Sequence, residues 1–246
     1  MLQPLTKIQI QFKRFVVKKL AKKAVIASLI MSVSSQTMAA FTLSGTRFIY
    51  EAEKKNISFE VTNNAEQTYG GQIWVDNTNQ DKDDVFIVPA PPFFKIKPKQ
   101  KQIVRLLNVN NNLPKDRESL FWLNVQEIPP KPTDVEGSVL AIAMNTQVKL
   151  IYRPKGLSEA RKDAEKQVHV VRSNGGFALK NPTPYFFAVV GLKQNGKDVK
   201  MTSEQNAALV KFAPFSEVSL GGTALGSGIS IDAINDWGGV QTYDIK

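Results

Sequence analysis

Residues 115–130 read KDRESLFWLNVQEIPP, a charge cluster followed by an alternating run and closed by two prolines. From Leu120 to Ile128 the period is two: Phe121, Leu123 and Val125 share one face, and Trp122, Asn124 and Gln126 the other. Side chains of a strand point alternately to opposite sides, so this pattern predicts a strand with one core-facing side. Pro129 and Pro130 end it, because proline has no N–H to give to a sheet ladder. The opening charges, Lys115 to Glu118, acquire a purpose only through partners elsewhere in the chain.

The same pattern runs outward in both directions. Upstream, residues 57–61 (ISFEV) put Ile57, Phe59 and Val61 on one face, and GGQIWVDN, DVFIVPA, FFKIKP and KQIVRLLNV follow as short β-rich runs separated by turn residues. Downstream, SVLAIAMNTQVKLIYRP (138–154) is longer than a usual strand: fifteen residues at about 3.3 Å each would reach about 50 Å. That length predicts a strand serving more than its own sheet. PKGLSEARKDAEKQ (154–167) is polar on every side despite its good helix formers, and reads as a linker or short solvated helix at a domain boundary. QVHVV, GGFALKN, PYFFAVVGL, AALVKF and SEVSL then read as short strands again. The class is all-β, two β-sandwiches in tandem, with domains at 40–155 and 156–246.

The net charge of +10 invites a nucleic-acid partner, but its distribution argues against one. Lys7, Lys13, Arg14, Lys18, Lys19, Lys22 and Lys23 stand before the apolar run AVIASLIMSV, which is followed by SSQT and MAA. This is the layout of a cleaved secretory signal, residues 1–39, and the run is shorter than the roughly 20 residues that span a bilayer. A retained membrane anchor is the competing reading. Removing 39 residues and seven charges leaves 207 residues at +3, so the basic excess belongs to targeting and implies neither nucleic acid nor a membrane-inserted mature protein. With no cysteine, stability in an oxidising compartment rests on the cores alone.

Catalytic and metal chemistry find little support. His169 is the only histidine, lies among apolar strand neighbours, and no GxSxG accompanies it. One histidine and no cysteine leave no set for a structural zinc site. DKDD (81–84) lacks the glycine and distal glutamate of a calcium loop and reads as a solvated turn. GGTALGSG (221–228) has no following lysine or helix signal, so it reads as a loop and not a phosphate cradle.

Taken together, KDRESLFWLNVQEIPP, VKLIYRP, KNPTPYFFAVVGL and INDWGG resemble, in the same order, the periplasmic chaperones of the chaperone-usher pathway, the family of the P-pilus and type 1 pilus assembly chaperones. The resemblance covers the whole mature chain. It implies two immunoglobulin-like β-sandwich domains in a boomerang arrangement, no cofactor, and pilus (fimbrial) subunits and an outer-membrane usher as partners in the periplasm. It further implies a lent strand that completes a subunit lacking its own last strand. The resemblance assigns Leu140, Ile142 and Met144 to the subunit's groove, although alternating apolar residues ordinarily face their own core. It assigns Arg47 in SGTRFIY and Lys149 in QVKLIYRP to the subunit's C-terminal carboxylate, which a forked guanidinium and an ammonium suit. It assigns Glu118, Arg153 and Asp236 to an interdomain charge network.

Lys149 is odd-numbered and the three apolar residues even, so an unbroken strand sends them to opposite faces; a bulge or strong twist at 145–147 is the expected remedy. The short PPKPTDVEG (129–137) resembles the branch serving rod-like adhesive pili. The family often carries a disulfide near its C-terminus that this chain lacks, which leaves the course of the final strand open. A self-capping homodimer is a further expectation. The competing classes are a secreted β-sandwich adhesin or carbohydrate-binding protein, a pilus subunit itself, and a hydrolase using His169.

Overall fold

The computed structural model describes residues 40–131, 142–173, 175–222 and 225–246; the expected signal peptide and Leu140 lie outside them. Up to Pro154 the strands are β1 (Phe41–Leu43), β2 (Arg47–Glu51), β3 (Asn56–Asn63), β4 (Tyr69–Asn77), β5 (Ile87–Ala90), β6 (Phe93–Ile96), β7 (Lys101–Asn108), β8 (Ser119–Ile128) and β9 (Asn145–Arg153). They make two sheets, β1-β3-β7-β5 and β2-β9-β8-β4-β6. Every pairing is antiparallel except β2 with β9, which is parallel. Phe59 and Val61 of β3, Val104 and Leu106 of β7, and Phe121, Leu123 and Val125 of β8 fill the space between the sheets, as their period of two predicts. Each such side chain contributes about 1.5–3 kcal/mol when fully buried. Gly71 is required by packing: a Cβ there would stand 2.2 Å from the ring of Phe94.

The second sandwich is built from β10 (His169–Ser173), β11 (Gly176–Lys180), β12 (Val189–Gln194), β13 (Lys197–Asp198), β14 (Glu217–Gly221), β15 (Ile229–Ile234) and β16 (Val240–Ile245). Its sheets are β10-β11-β14 and β13-β12-β15-β16, enclosing Leu179, Val189, Leu192, Ile231 and Tyr243. The final strand pairs with β15 from Ile234↔Val240 to Ile229↔Ile245, so the sheet closes without a disulfide.

Three expectations are corrected. AALVKF is not a strand: Ser203–Leu209 is a helix, α1, because Thr202 and Gln205 form a capping box that satisfies its first backbone donors. The segment 154–167 is not polar to solvent on every side: most of it is exposed, but Arg161 and Glu165 are buried at 8% and 1% exposure, and its helical part is a single 3-10 turn, Ala164–Gln167. Of the strand expected to run through 138–154, β9 covers Asn145–Arg153, its ladder with β8 ending at Gln126↔Asn145, and residues 142–144 are not strand; the stretch 132–141 lies outside the described residues.

Candidate functional site

Between the sandwiches lies a third apolar cluster, Leu120, Ile151 and Phe186 with Ile49 and Ala213. It carries Leu120 of β8 and Ile151 of β9 onto the second sandwich. The sequence-predicted site residues fall into three groups, two beside this cluster and one, Ile142 and Met144, beyond the far end of the β8–β9 ladder.

The first group is the basic pair. Arg47 and Lys149 are direct partners in the parallel β2–β9 ladder, so they share a face. Arg47 Nη1 donates to the carbonyl of Ile234 at 2.9 Å, while its buried Nε has no hydrogen-bond partner among the described residues. Lys149 donates from Nζ to the carbonyl of Val210, the residue that ends α1, where helix carbonyls lack partners. Burial, then the charges of Arg47 and Lys211, press the Lys149 ammonium down to about 8. Burial also lowers Arg47, against the pull of Asp236. The narrow cleft here, too tight as it stands to admit a water molecule, is lined by Arg47, Lys149 and Lys211 with Ile151, Phe186 and Phe187.

The second group is the apolar set. Ile142 and Met144 are 66% and 49% exposed, so they do not face their own core. The expected bulge is absent: β8 and β9 pair without a shift from Ser119↔Tyr152 to Gln126↔Asn145. Asn124 holds that end of the ladder, its Oδ1 accepting from Asn145 Nδ2 at 3.0 Å and Gln147 Nε2 at 2.9 Å. The opposite faces need no remedy. Val148 and Leu150, even-numbered like Ile142 and Met144, pack in the first core, and the apolar side simply continues past the point where the core ends.

β2 covers β9 only from Lys149 to Arg153, so Asn145–Val148 is paired with β8 on one side and has no strand on the other among the described residues. The open edge begins beside the basic pair.

The third group is the charge network. Arg153 Nε donates to Glu118 Oε1 at 2.7 Å, and the Phe186 N–H donates to Glu118 Oε2 at 2.7 Å. Arg153 Nη2 lies 2.8 Å from Asp236 Oδ2, near enough for an ion pair but not aligned as a hydrogen bond. Sequence reasoning missed the other half. Arg161 grips Glu165 with two donors at 2.7 and 2.9 Å and reaches Asp236 Oδ1 at 3.3 Å, so Asp236 bridges two arginines. Arg161 also lies over the rings of Tyr185 and Phe187, at 5.4 and 5.2 Å. The i, i+4 spacing of Arg161 and Glu165 was the available signal.

Burial pushes the Glu118 carboxyl up, whereas Arg153 is raised by its two carboxylates once its own desolvation is overcome. The guanidinium keeps its proton, and its charge at 2.7 Å opposes the upward push of burial on Glu118. Asp236 is placed by the turn between β15 and β16, where Asn235 Oδ1 accepts from the Trp237 and Gly239 N–H groups and Gly238 takes a φ of +86°.

His169, at the start of β10, has its Nδ1 3.0 Å from the Gln167 carbonyl. Among the described residues no cluster of three or more His, Cys, Asp or Glu is arranged for a metal ion.

This arrangement is that of a pilus-assembly chaperone. Residues 40–158 match the family described as pili and flagellar-assembly chaperone, PapD N-terminal domain, and residues 163–245 match pili assembly chaperone PapD, C-terminal domain; the chain belongs to this family. It is 46% identical over 213 residues to chaperone protein FanE of Escherichia coli, covering 87% of this chain and 93% of that one. Among solved structures, the periplasmic chaperone SfaE is similar at 30% identity with a TM-score of 0.64, covering 83% of this chain and 98% of that one. The fold also matches a chain of the Salmonella enterica SafA pilin complex with the SafB chaperone, with a TM-score of 0.71, 22% identity, and coverage of 85% and 97%.

Proposed function

We propose that this protein is a periplasmic, non-enzymatic chaperone that captures a pilus subunit by lending it a strand, and passes the subunit to an outer-membrane usher. The observation that carries the reading is the open edge of β9 at Asn145–Val148, flanked by exposed Ile142 and Met144 at one end and by Arg47 and Lys149 at the other. A subunit strand added there gains backbone hydrogen bonds along the edge. Ile142 and Met144, with Leu140, enter its groove, each contributing about 1.5–3 kcal/mol before the cost of ordering. The subunit's terminal carboxylate binds at this cleft, where the Arg47 guanidinium and the Lys149 ammonium donate to it in place of the neutral Ile234 and Val210 carbonyls.

In this reading residues 1–39 direct export and are removed, domains 40–155 and 156–246 follow, and Glu118, Arg153 and Asp236 hold the angle between them. No cofactor takes part. The short segment after Pro129 supports the reading that the subunits served form rod-like pili. In the absence of a subunit, a second copy covers the same edge and caps it as a homodimer.

Co-expression with the subunit encoded beside it tests the reading through the yield of soluble complex. Arg47→Ala or Lys149→Ala is expected to reduce that yield at least tenfold, and Ile142→Asp to abolish it while the free protein keeps its β circular dichroism. An unchanged yield in the two cation variants removes the carboxylate anchor, and an unfolded Ile142→Asp returns that residue to the core.

A further inference from the structure

The narrow cleft that holds Arg47 and Lys149 adjoins a wider one of about 440 Å³, and both share Leu120, Phe186 and Lys211. The remaining lining of the wider cleft is uncharged and includes Asn77, Asn79, Trp122 and Ser216, so Lys211 is its single charged side chain. Trp122 pairs with Lys149 in the β8–β9 ladder, which puts the wider cleft beside the anchor on the same sheet face. Lys211 is exposed and forms no ion pair with any carboxylate among the described residues. Its position is held by the backbone: its N–H donates to Ala208 at the end of α1, and the next residue, Phe212, bridges to Phe187.

We propose that Lys211 and the wider cleft form a second anion subsite, which selects subunits carrying an aspartate or glutamate next to their C-terminal residue. The inference rests on the carboxylate anchor assigned above. Once the terminal carboxylate lies between Arg47 and Lys149, a neighbouring acidic side chain is within reach of Lys211 and meets no carboxylate of the cleft, whose Asn77, Thr78 and Ser216 donors are already taken by backbone carbonyls. A neutral side chain enters the same cleft without that gain, so the discrimination is electrostatic and falls as salt rises.

The test uses the purified mature protein, residues 40–246, and two synthetic peptides of alternating valine and threonine, one ending Asp-Val and the other Asn-Val, each as free acid and as C-terminal amide. Tryptophan fluorescence or calorimetry gives the affinities. The Asp peptide is expected to bind about two- to fivefold tighter than its Asn twin, as befits a partly exposed ion pair. Lys211→Gln is expected to bring the affinities of the Asp and Asn peptides together, whatever it does to the binding common to both, and Lys211→Arg to keep them apart. Equal binding of the two peptides, binding of neither, or a preference that survives Lys211→Gln overturns the proposal. The anchor fails separately: amidation or Arg47→Ala then leaves both affinities unchanged, whatever Lys211 does.

Discussion

Two charged clusters stand at the junction of the sandwiches, and they are built on opposite plans. In one, Glu118, Asp236 and Glu165 face Arg153 and Arg161, with hydrogen bonds or ion contacts closing on every member. In the other, Arg47, Lys149 and Lys211 line a cleft that contains no carboxylate. A buried charge that is paired and hydrogen-bonded is tolerable, and one that faces like charge is held at a cost. The balanced cluster therefore has the character of scaffold, whereas the unbalanced one is a site whose missing partner is an anion.

Removing one member from each cluster separates the two plans most sharply. Arg153→Ala leaves Glu118 buried with only the Phe186 N–H, and is expected to cost about 3–5 kcal/mol in denaturant unfolding. A loss under about 1 kcal/mol breaks the comparison, because the network would then be no more than a set of contacts.

Lys149→Met works in the opposite sense. Lys149 is charged near pH 7 although burial and two cations press its proton off at about 8, against an ordinary value of 10.5. A base whose folded value is depressed destabilises the fold fully below about pH 8, and the penalty fades as pH rises towards 10.5, where the unfolded chain loses the proton too. Allowing for solvent screening and for the lost bond to Val210, the substitution is expected to raise stability by about 1 kcal/mol at pH 7, with the gain vanishing by about pH 10.5. A destabilised Lys149→Met, with no pH dependence in that window, places Lys149 among the scaffold residues.

The same shift acts on capture. A bound carboxylate raises Lys149, so binding takes up a proton around pH 8 and is fully present below that value. As pH climbs above 8 the free protein loses the ammonium, and affinity is expected to fall by up to about tenfold per unit. Titrating the free-acid peptide against pH checks this; the amide form is expected to show no such slope.

How much of this could be read in the chain depended on whether the cause was local. The alternation of Phe121, Leu123 and Val125 is a property of consecutive residues, and the core it predicts is present. The capping box at Thr202 was equally local and readable, yet AALVKF was assigned by its apolar content, so α1 was missed. Glu118, Arg153 and Asp236 were reachable only through the family resemblance, since 118 residues separate the first from the last and nothing in periodicity joins them. Arg161 and Glu165 were misjudged as solvated because their burial comes from the Tyr185 and Phe187 rings of another segment. The direction of Ile142 and Met144 was a matter of where β8 stops, which tertiary pairing decides.

The smallest effect sharpens what the comparison is about. Lys180 and Glu217 pair across β11 and β14 at 3.0 Å, a geometry close to that of Arg153 with Glu118, but their side chains are 43% and 44% exposed. Water already solvates both charges, so Lys180→Ala is expected to cost no more than about 1 kcal/mol, and to lose even that in high salt. If it costs as much as Arg153→Ala, pairing alone would account for the scaffold. If it costs the small amount expected, the weight of the Glu118–Arg153–Asp236 group comes from pairing under burial, and the same burial without pairing makes Lys149 responsive to an incoming anion.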